Sequence, residues 1–329
     1  MIILALIDNA FLSVISSAIP ASTVVVLAAT GVLLNERVGV LNLGQEGLVG
    51  LGAVYAVIAV QTWSVGSPWI AMLIGMIAAG VAGLLFAICV VVFKANQVLV
   101  GLALALGGVG LANQLGTNRV GQPIKVQFRE VNPGGAFDSP DFFEAFLFHD
   151  PVVYIAYLIL PAFLWFLLFR TRHGMNMRAV GENPAAADAV GVSVAWSRVL
   201  YTVAGAAVSG AGGAYMVLSF TPSWSPDIAR GRGWVALAVV IFAGWRPFRV
   251  VAGALLYGAM FSLGLTAQAR GWDVPGLPAT DLSFLLSMLP FLVTLIAILV
   301  PAGAAKIGRR IRSAAAPAAL AIPYSREDR

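Results

Sequence analysis

Long apolar runs make up most of this chain, and they set almost everything it can fold into. One covers roughly residues 10–34, a second about 44–62, a third ends at Phe93 and a fourth near Gly116. Others follow at about 151–169, 196–220, 250–267 and 282–302. A helix needs about 20 apolar residues to cross about 30 Å of hydrocarbon. Inside that layer every backbone N–H and C=O must be bonded within the protein, which makes the helix the building block for such runs. Composition agrees: 60% of the residues are hydrophobic and 11% are charged, against about 25% charged in soluble domains. The expectation is an all-α, polytopic transmembrane helical bundle of about eight to ten membrane segments, one or two of them broken or re-entrant. Residues 1–303 would form a single transmembrane domain, and 304–329 a basic, mobile cytoplasmic tail.

The main interruption is residues 30–53, TGVLLNERVGVLNLGQEGLVGLGA. It places Asn35, Glu36, Arg37, Asn42, Gln45 and Glu46 between two apolar runs, among five glycines from Gly39 to Gly52. Polar groups at that depth persist only where protein or a water-lined cavity satisfies them. Asn42 and Gln45 have capping-box spacing, and Glu46 falls in the first helical turn, where the helix dipole favours a carboxylate. Two readings stand here. One is a tidy helix start; the other is a broken helix pair lining a pore, with Asn42, Gln45 and Glu46 on the path. Asn113 and Gln114, near the end of the fourth run, are weaker path candidates, since polar side chains also bond neighbouring helices.

A second interruption lies at 221–245. TPSWSPDIARGRG is polar, and the apolar WVALAVVIFAGW after it is too short for a full span. Paired interruptions in the two halves of a chain point to a transporter site. Asp227, Arg230 and Arg232 are candidates for the outer mouth or for contact with a binding protein. Cap-plus-proline starts occur at Ser67-Pro68, Asp150-Pro151 and Asn183-Pro184. The last predicts a short helix over 184–190, stopped by Gly191. Small residues recur at four-residue spacing at Gly205, Ser209 and Gly213, and again at Ala254, Gly258 and Ser262, which suits close helix packing. With 170–198 placed inside, most of the 20 Lys and Arg residues gather on one side. The amino terminus is then outside and the carboxyl terminus cytoplasmic.

Several chemistries find no support. Cys89 is the single cysteine, so no intrachain disulfide or multi-cysteine metal site is available. His149 and His173 have no partner at ligand spacing and read as solvated. No phosphate loop, nucleophile elbow or HExxH motif occurs. Tryptophans such as Trp63, Trp69, Trp224, Trp234 and Trp245 read as interfacial anchors. The net charge of +5 follows the positive-inside bias and does not signal nucleic acid.

GVLLNERVGVLNLGQEGLVGLGA resembles the signature of inner-membrane ABC permeases of the branched-chain amino acid and simple-sugar class, most like their nucleoside-type branch. MRAVGENPAAADAVGVSV is similar to that family's cytoplasmic loop, and GRGWVALAVVIFAGWRPFRVVAGALLYG to its late re-entrant segment and following helix. The resemblance implies a permease subunit, not an enzyme, in the bacterial cytoplasmic membrane. A second permease subunit, a cytoplasmic ABC ATPase and an extracytoplasmic substrate-binding protein would complete the importer. This chain would hold no cofactor, and Mg-ATP would sit on the ATPase. The cargo would be a nucleoside or simple sugar. The loop bearing Arg178, Gly181, Glu182, Asn183, Pro184, Ala187, Asp188 and Gly191 would couple to the ATPase. Alternatives are a branched-chain amino acid permease, an ion-coupled carrier and a non-transporting scaffold.

Overall fold

A computed structural model describes residues 2–131, 148–270 and 316–325, with scattered positions between 281 and 296; for residues 2–13 it describes the backbone alone. The ninth apolar run therefore lies largely outside the described residues. The first half of the chain forms α1 (Ile2–Arg37), α2 (Gln45–Gln61), α3 (Pro68–Val92), α4 (Gln97–Gly116) and α5 (Pro151–Arg170). The second half forms α6 (Arg172–Glu182), α7 (Pro184–Ala189), α8 (Val194–Phe220), α9 (Arg232–Ala243) and α10 (Pro247–Ala269). Among the described residues, six helices are long and apolar enough to cross a membrane, while α2 and α9 are shorter apolar helices. The described residues contain no strand, only two isolated bridges, Val120 with Trp224 and Pro123 with Ser223.

The bundle is layered around α1, α2 and α8. Of the α1 span 83% is buried, against 22% of the α4 span. The outer faces of α3, α4 and α5 carry exposed Leu85, Leu106, Phe163 and Phe166, the surface that hydrocarbon or a neighbouring subunit would cover. Short α2 is buried along most of its length, and Gln45 at its start accepts from Ser209 Oγ of α8, so the polar start is satisfied by protein. Both small-residue stripes lie at helix crossings. A Cβ on Gly213 would overlap the Val49 carbonyl, and one on Gly205 the Gly31 carbonyl. On the other stripe, a Cβ on Gly258 would overlap the Ala18 carbonyl, and Ser262 Oγ donates to Val14 O at 2.8 Å. Backbones this close exclude any larger residue, which is how small residues hold apolar helices together without a hydrophobic drive.

The local start signals divide. Asp150 Oδ1 accepts from Val152 N and Val153 N at 2.9 and 3.3 Å, and Asn183 Oδ1 from Ala186 N at 3.0 Å, so both caps form. Ser67 precedes Pro68 at the start of α3 without a side-chain cap bond. The capping box at Asn42 is not made: Gly44 is the N-cap of α2, and Asn42 Oδ1 accepts from Gly44 N at 2.8 Å. An Asx-type turn outcompetes the helical cap there, and glycine leaves room for it: a Cβ on Gly44 would lie 2.9 Å from Asn42 Oδ1. The segment after Arg170 is more structured than one short helix, since α6 precedes α7. His149 is 6% exposed, not solvated, with its carbonyl accepting from Val131 N at 3.0 Å.

Two tryptophans also depart from interfacial anchoring. Trp224 and Trp245 are buried, while Trp63 and Trp69 stay exposed. Trp245 Nε1 donates to Glu36 Oε2, and its carbonyl accepts from Arg37. These bonds place the end of α9 beside the end of α1. Residues 316–325, inside the tail expected to be mobile, lie against this same end of the bundle; 304–315 and 326–329 are outside the described residues. At the opposite end, Arg119 reaches Thr62 at 2.7 Å and Ile124 N donates to Pro222 O at 3.0 Å.

Candidate functional site

The two polar interruptions meet. Glu46, in the first turn of α2, accepts from Gly231 N at 2.6 Å through Oε1 and from Gly233 N at 2.8 Å through Oε2. Those N–H groups open α9, so the carboxylate sits at the positive end of that short helix and satisfies donors its own chain leaves unpaired. The approach requires glycine: a Cβ on Gly233 would overlap Glu46 N. The chain enters α9 through left-handed backbone at Asp227, Arg230 and Gly231, with φ of 52°, 45° and 81°. Strained non-glycine residues of this kind gather where a loop is held for function.

Beside this junction lies a cavity of about 310 Å³ between α2, α4, the 224–231 segment and α9. Glu46, Asn113, Trp224, Asp227, Arg230 and Trp234 are on its wall. Asn113 and Asp227 lock each other: Asn113 Nδ2 donates to Asp227 Oδ1 at 2.8 Å, and Asp227 N donates to Asn113 Oδ1 at 2.9 Å. The pair presents a fixed carboxylate and carboxamide edge next to two indoles. Trp224 packs so tightly on Gly116 that a Cβ there would overlap the indole, whose N–H has no acceptor among the described residues. Rings with a few placed polar groups make a small-molecule site.

The sequence candidates separate accordingly. Glu46, Asn113, Asp227 and Arg230 come together at the cavity. Gln114 is exposed and is not among the cavity residues. Asn42 and Gln45 are buried away from it: Gln45 Oε1 accepts from Ser209 Oγ at 2.6 Å and ties α2 to α8. Arg232 is not at an outer mouth. It is 2% exposed, with its guanidinium 5.5 Å from the Phe220 ring and 4.9 Å from that of Phe261. The delocalised cation lies against two aromatic faces, which offsets its removal from water. Sequence reasoning missed Trp224 and Trp234 as cavity walls; the signal was the tryptophan pair flanking a Pro-Asp turn in TPSWSPDIARGRGW.

At the other end, α6 and α7 form a helical elbow. Gly181 is pressed against Arg37, whose carbonyl a Cβ would overlap. Ala187 and Asp188 face inward and are buried, while Glu182, Asn183, Ala185, Ala186 and Val190 face out. Gly191 ends the turn at φ 87°. Arg178 lies back over Phe169 at 5.2 Å and so belongs to the α5–α6 packing.

Known proteins resemble this chain along most of its length. Residues 14–307 match the family model described as branched-chain amino acid transport system / permease component. A Haloferax volcanii protein carrying the name of a putative glucose ABC transporter permease, TsgC13, is 36% identical over 263 residues, 78% of each chain. The guanosine ABC transporter permease NupQ of Bacillus subtilis is 28% identical over 331 residues, 94% of this chain and 97% of its own. The nucleoside ABC transporter permease NupC of Lactococcus lactis is 30% identical over 296 residues, 84% of this chain and 87% of its own. No solved structure matches.

Proposed function

The chain belongs to the permease-component family of branched-chain amino acid transport systems, and we propose that it is the membrane subunit of an ATP-driven ABC importer for a nucleoside or simple sugar. One observation carries the cargo class: Glu46 already fills the anion seat at the start of α9. In transporters with broken helices, such a half-helix N-terminus is where a substrate carboxylate binds. Here a solute that brings its own carboxylate finds that seat taken. The Asn113–Asp227 pair and the two indoles suit an uncharged ring bearing hydroxyls or ring nitrogens. Relatives named for guanosine, nucleosides and glucose fit the same class.

The end bearing Arg37, Lys94, Arg170, Arg172, Arg178, Arg246 and Arg249 faces the cytoplasm by the positive-inside rule. There α7 offers its outward alanines to the ATPase, whose closure moves the attached α5 and α8. An extracytoplasmic binding protein delivers solute at the opposite end, and a second permease subunit covers the apolar face of α4. Mg-ATP binds the ATPase partner.

The direct test is uptake by the assembled transporter in proteoliposomes with ATP sealed inside. Guanosine, uridine, ribose and glucose are compared with leucine. Uptake of a nucleoside or sugar that needs ATP and survives collapse of ion gradients is the expected result; leucine as the preferred cargo would overturn it. The α7 assignment has its own measurement. Ala186→Trp puts a large ring on the outward face and should cut co-purification of the ATPase at least about tenfold while sparing membrane insertion. Unchanged co-purification would remove α7 from the coupling surface.

A further inference from the structure

Residues 316–325 return to the α6–α7 end and bond to the α1–α2 and α3–α4 connections and to three helices there. Ala319 N donates to Gly181 O at 2.9 Å, and Ala321 N to Gly39 O at 3.2 Å. Ala318 N donates to Glu182 Oε2 at 3.3 Å, and the Tyr324 hydroxyl to Asp188 Oδ2 at 2.9 Å. Arg198 Nη1, from the start of α8, donates to Ile322 O at 2.9 Å, and Lys94 Nζ to Ser325 Oγ at 2.8 Å. One short segment therefore spans the α1–α2 connection, the α3–α4 connection, α6, α7 and the first turns of α8.

The seat is built for it. Gly39 has φ +80°, and a Cβ there would lie 3.0 Å from Ala319 O and 3.1 Å from Arg198 Nη2. The space a side chain would fill is taken by the segment and by an arginine that is 3% exposed. Pro317 and Ala319 are buried. The segment does not cover the outward face of α7: with it in place, Asn183, Ala185, Ala186 and Ala189 are exposed, and Val190 is 80% exposed. It grips the inward side, through Asp188.

We propose that residues 316–325 are a strap that ties α7 to the 38–44 connection, so that displacement of α7 is delivered to α2 and its Glu46–α9 junction. The proposal rests on the assignment of α7 as the ATPase contact. The coupling is mechanical. A push on a two-turn helix reaches a distant element only through contacts that hold both, and the strap bonds to α7 at one end and to the connection entering α2 in its middle. Because Glu46 lies in the first turn of α2, any shift of that connection acts directly on the seat of α9.

The test uses the assembled transporter in proteoliposomes, with uptake and ATP hydrolysis measured together. A chain ending at Ala315 should keep ATPase co-purification and lose about tenfold in solute moved per ATP, the size of a typical coupling between sites. A chain ending at Ser325 keeps the strap and should match the full chain. Tyr324→Phe removes one bond and should lower the ratio about threefold. A peptide of residues 316–325 sealed inside with ATP should restore part of the truncated chain's uptake. An unchanged ratio in the chain ending at Ala315 overturns the strap. So does a rise in both hydrolysis and uptake, which would make the segment a cover. If that truncated chain fails to insert, an unchanged ratio in Tyr324→Phe is overturning by itself. Unchanged ATPase co-purification in Ala186→Trp would sink the α7 assignment instead.

Discussion

Glu46→Ala should nearly abolish ATP-driven uptake, and Glu46→Gln should leave an intermediate rate. The carboxylate accepts two backbone N–H groups at the head of α9, from Gly231 and Gly233. A hydrogen bond to a charged group contributes about 1.5–3 kcal/mol, and its loss strands donors that the chain cannot otherwise satisfy. Alanine removes both bonds and the charge at the helix dipole, a loss of about 3 kcal/mol at the junction. At about 1.4 kcal/mol per tenfold, that is on the order of a hundredfold in any step that needs α9 seated. Glutamine keeps one acceptor but turns an amide N–H₂ toward the other donor, so about a tenfold loss is expected. Uptake rates with purified transporter, at matched membrane abundance, provide the measurement. Wild-type rates in both variants would show that the seat has no part in transport.

Asp150→Ala should produce the largest loss of stability among single substitutions in the described polar network. Asp150 is 4% exposed and bonds through both oxygens. Oδ1 caps α5, while Oδ2 accepts from Tyr215 at 2.9 Å and Ser219 at 2.7 Å, binding α5 to α8. Removing the cap costs about 1 kcal/mol, the buried Tyr215 hydroxyl left without its acceptor about 1–3 kcal/mol more, and the half-buried Ser219 hydroxyl about 1 kcal/mol. The sum is about 3–5 kcal/mol, visible as a lowered midpoint in thermal unfolding of detergent-solubilised protein. Asp150→Asn retains the cap acceptor and should cost roughly a third of that. Equal midpoints for alanine and wild type would mean that α5 is held by apolar packing alone.

Legibility followed the range of the interaction. The Asp150-Pro151 and Asn183-Pro184 starts could be read from adjacent residues because a cap closes within a single turn, and both form. The small-residue stripes were visible as stripes, though not the helices they would meet. Asn42 misled because its side chain had two local partners within reach and the turn to Gly44 won. Arg232 and Trp224 misled for a different reason. A charge and an indole in a polar stretch suggest a surface, but Phe220, Phe261 and Gly116, which bury them, lie elsewhere in the sequence or on other helices.

Residue order alone settles that the chain is a helical membrane bundle, because apolar runs of that length leave the backbone only its own helical bonds. It also marks two polar breaks and a capped helix in a basic loop. That the two breaks are one junction emerges only when the helices are packed. Glu46 and Gly231 are separated by 185 positions, and a carboxylate carries no sign of which distant N–H it will accept. The same holds for the segment around Ala319, whose anchors at Gly39 and Gly181 are backbone carbonyls of a kind that every residue possesses. Side-chain periodicity reports which face of a helix avoids water; it does not report which backbone will come to lie against it.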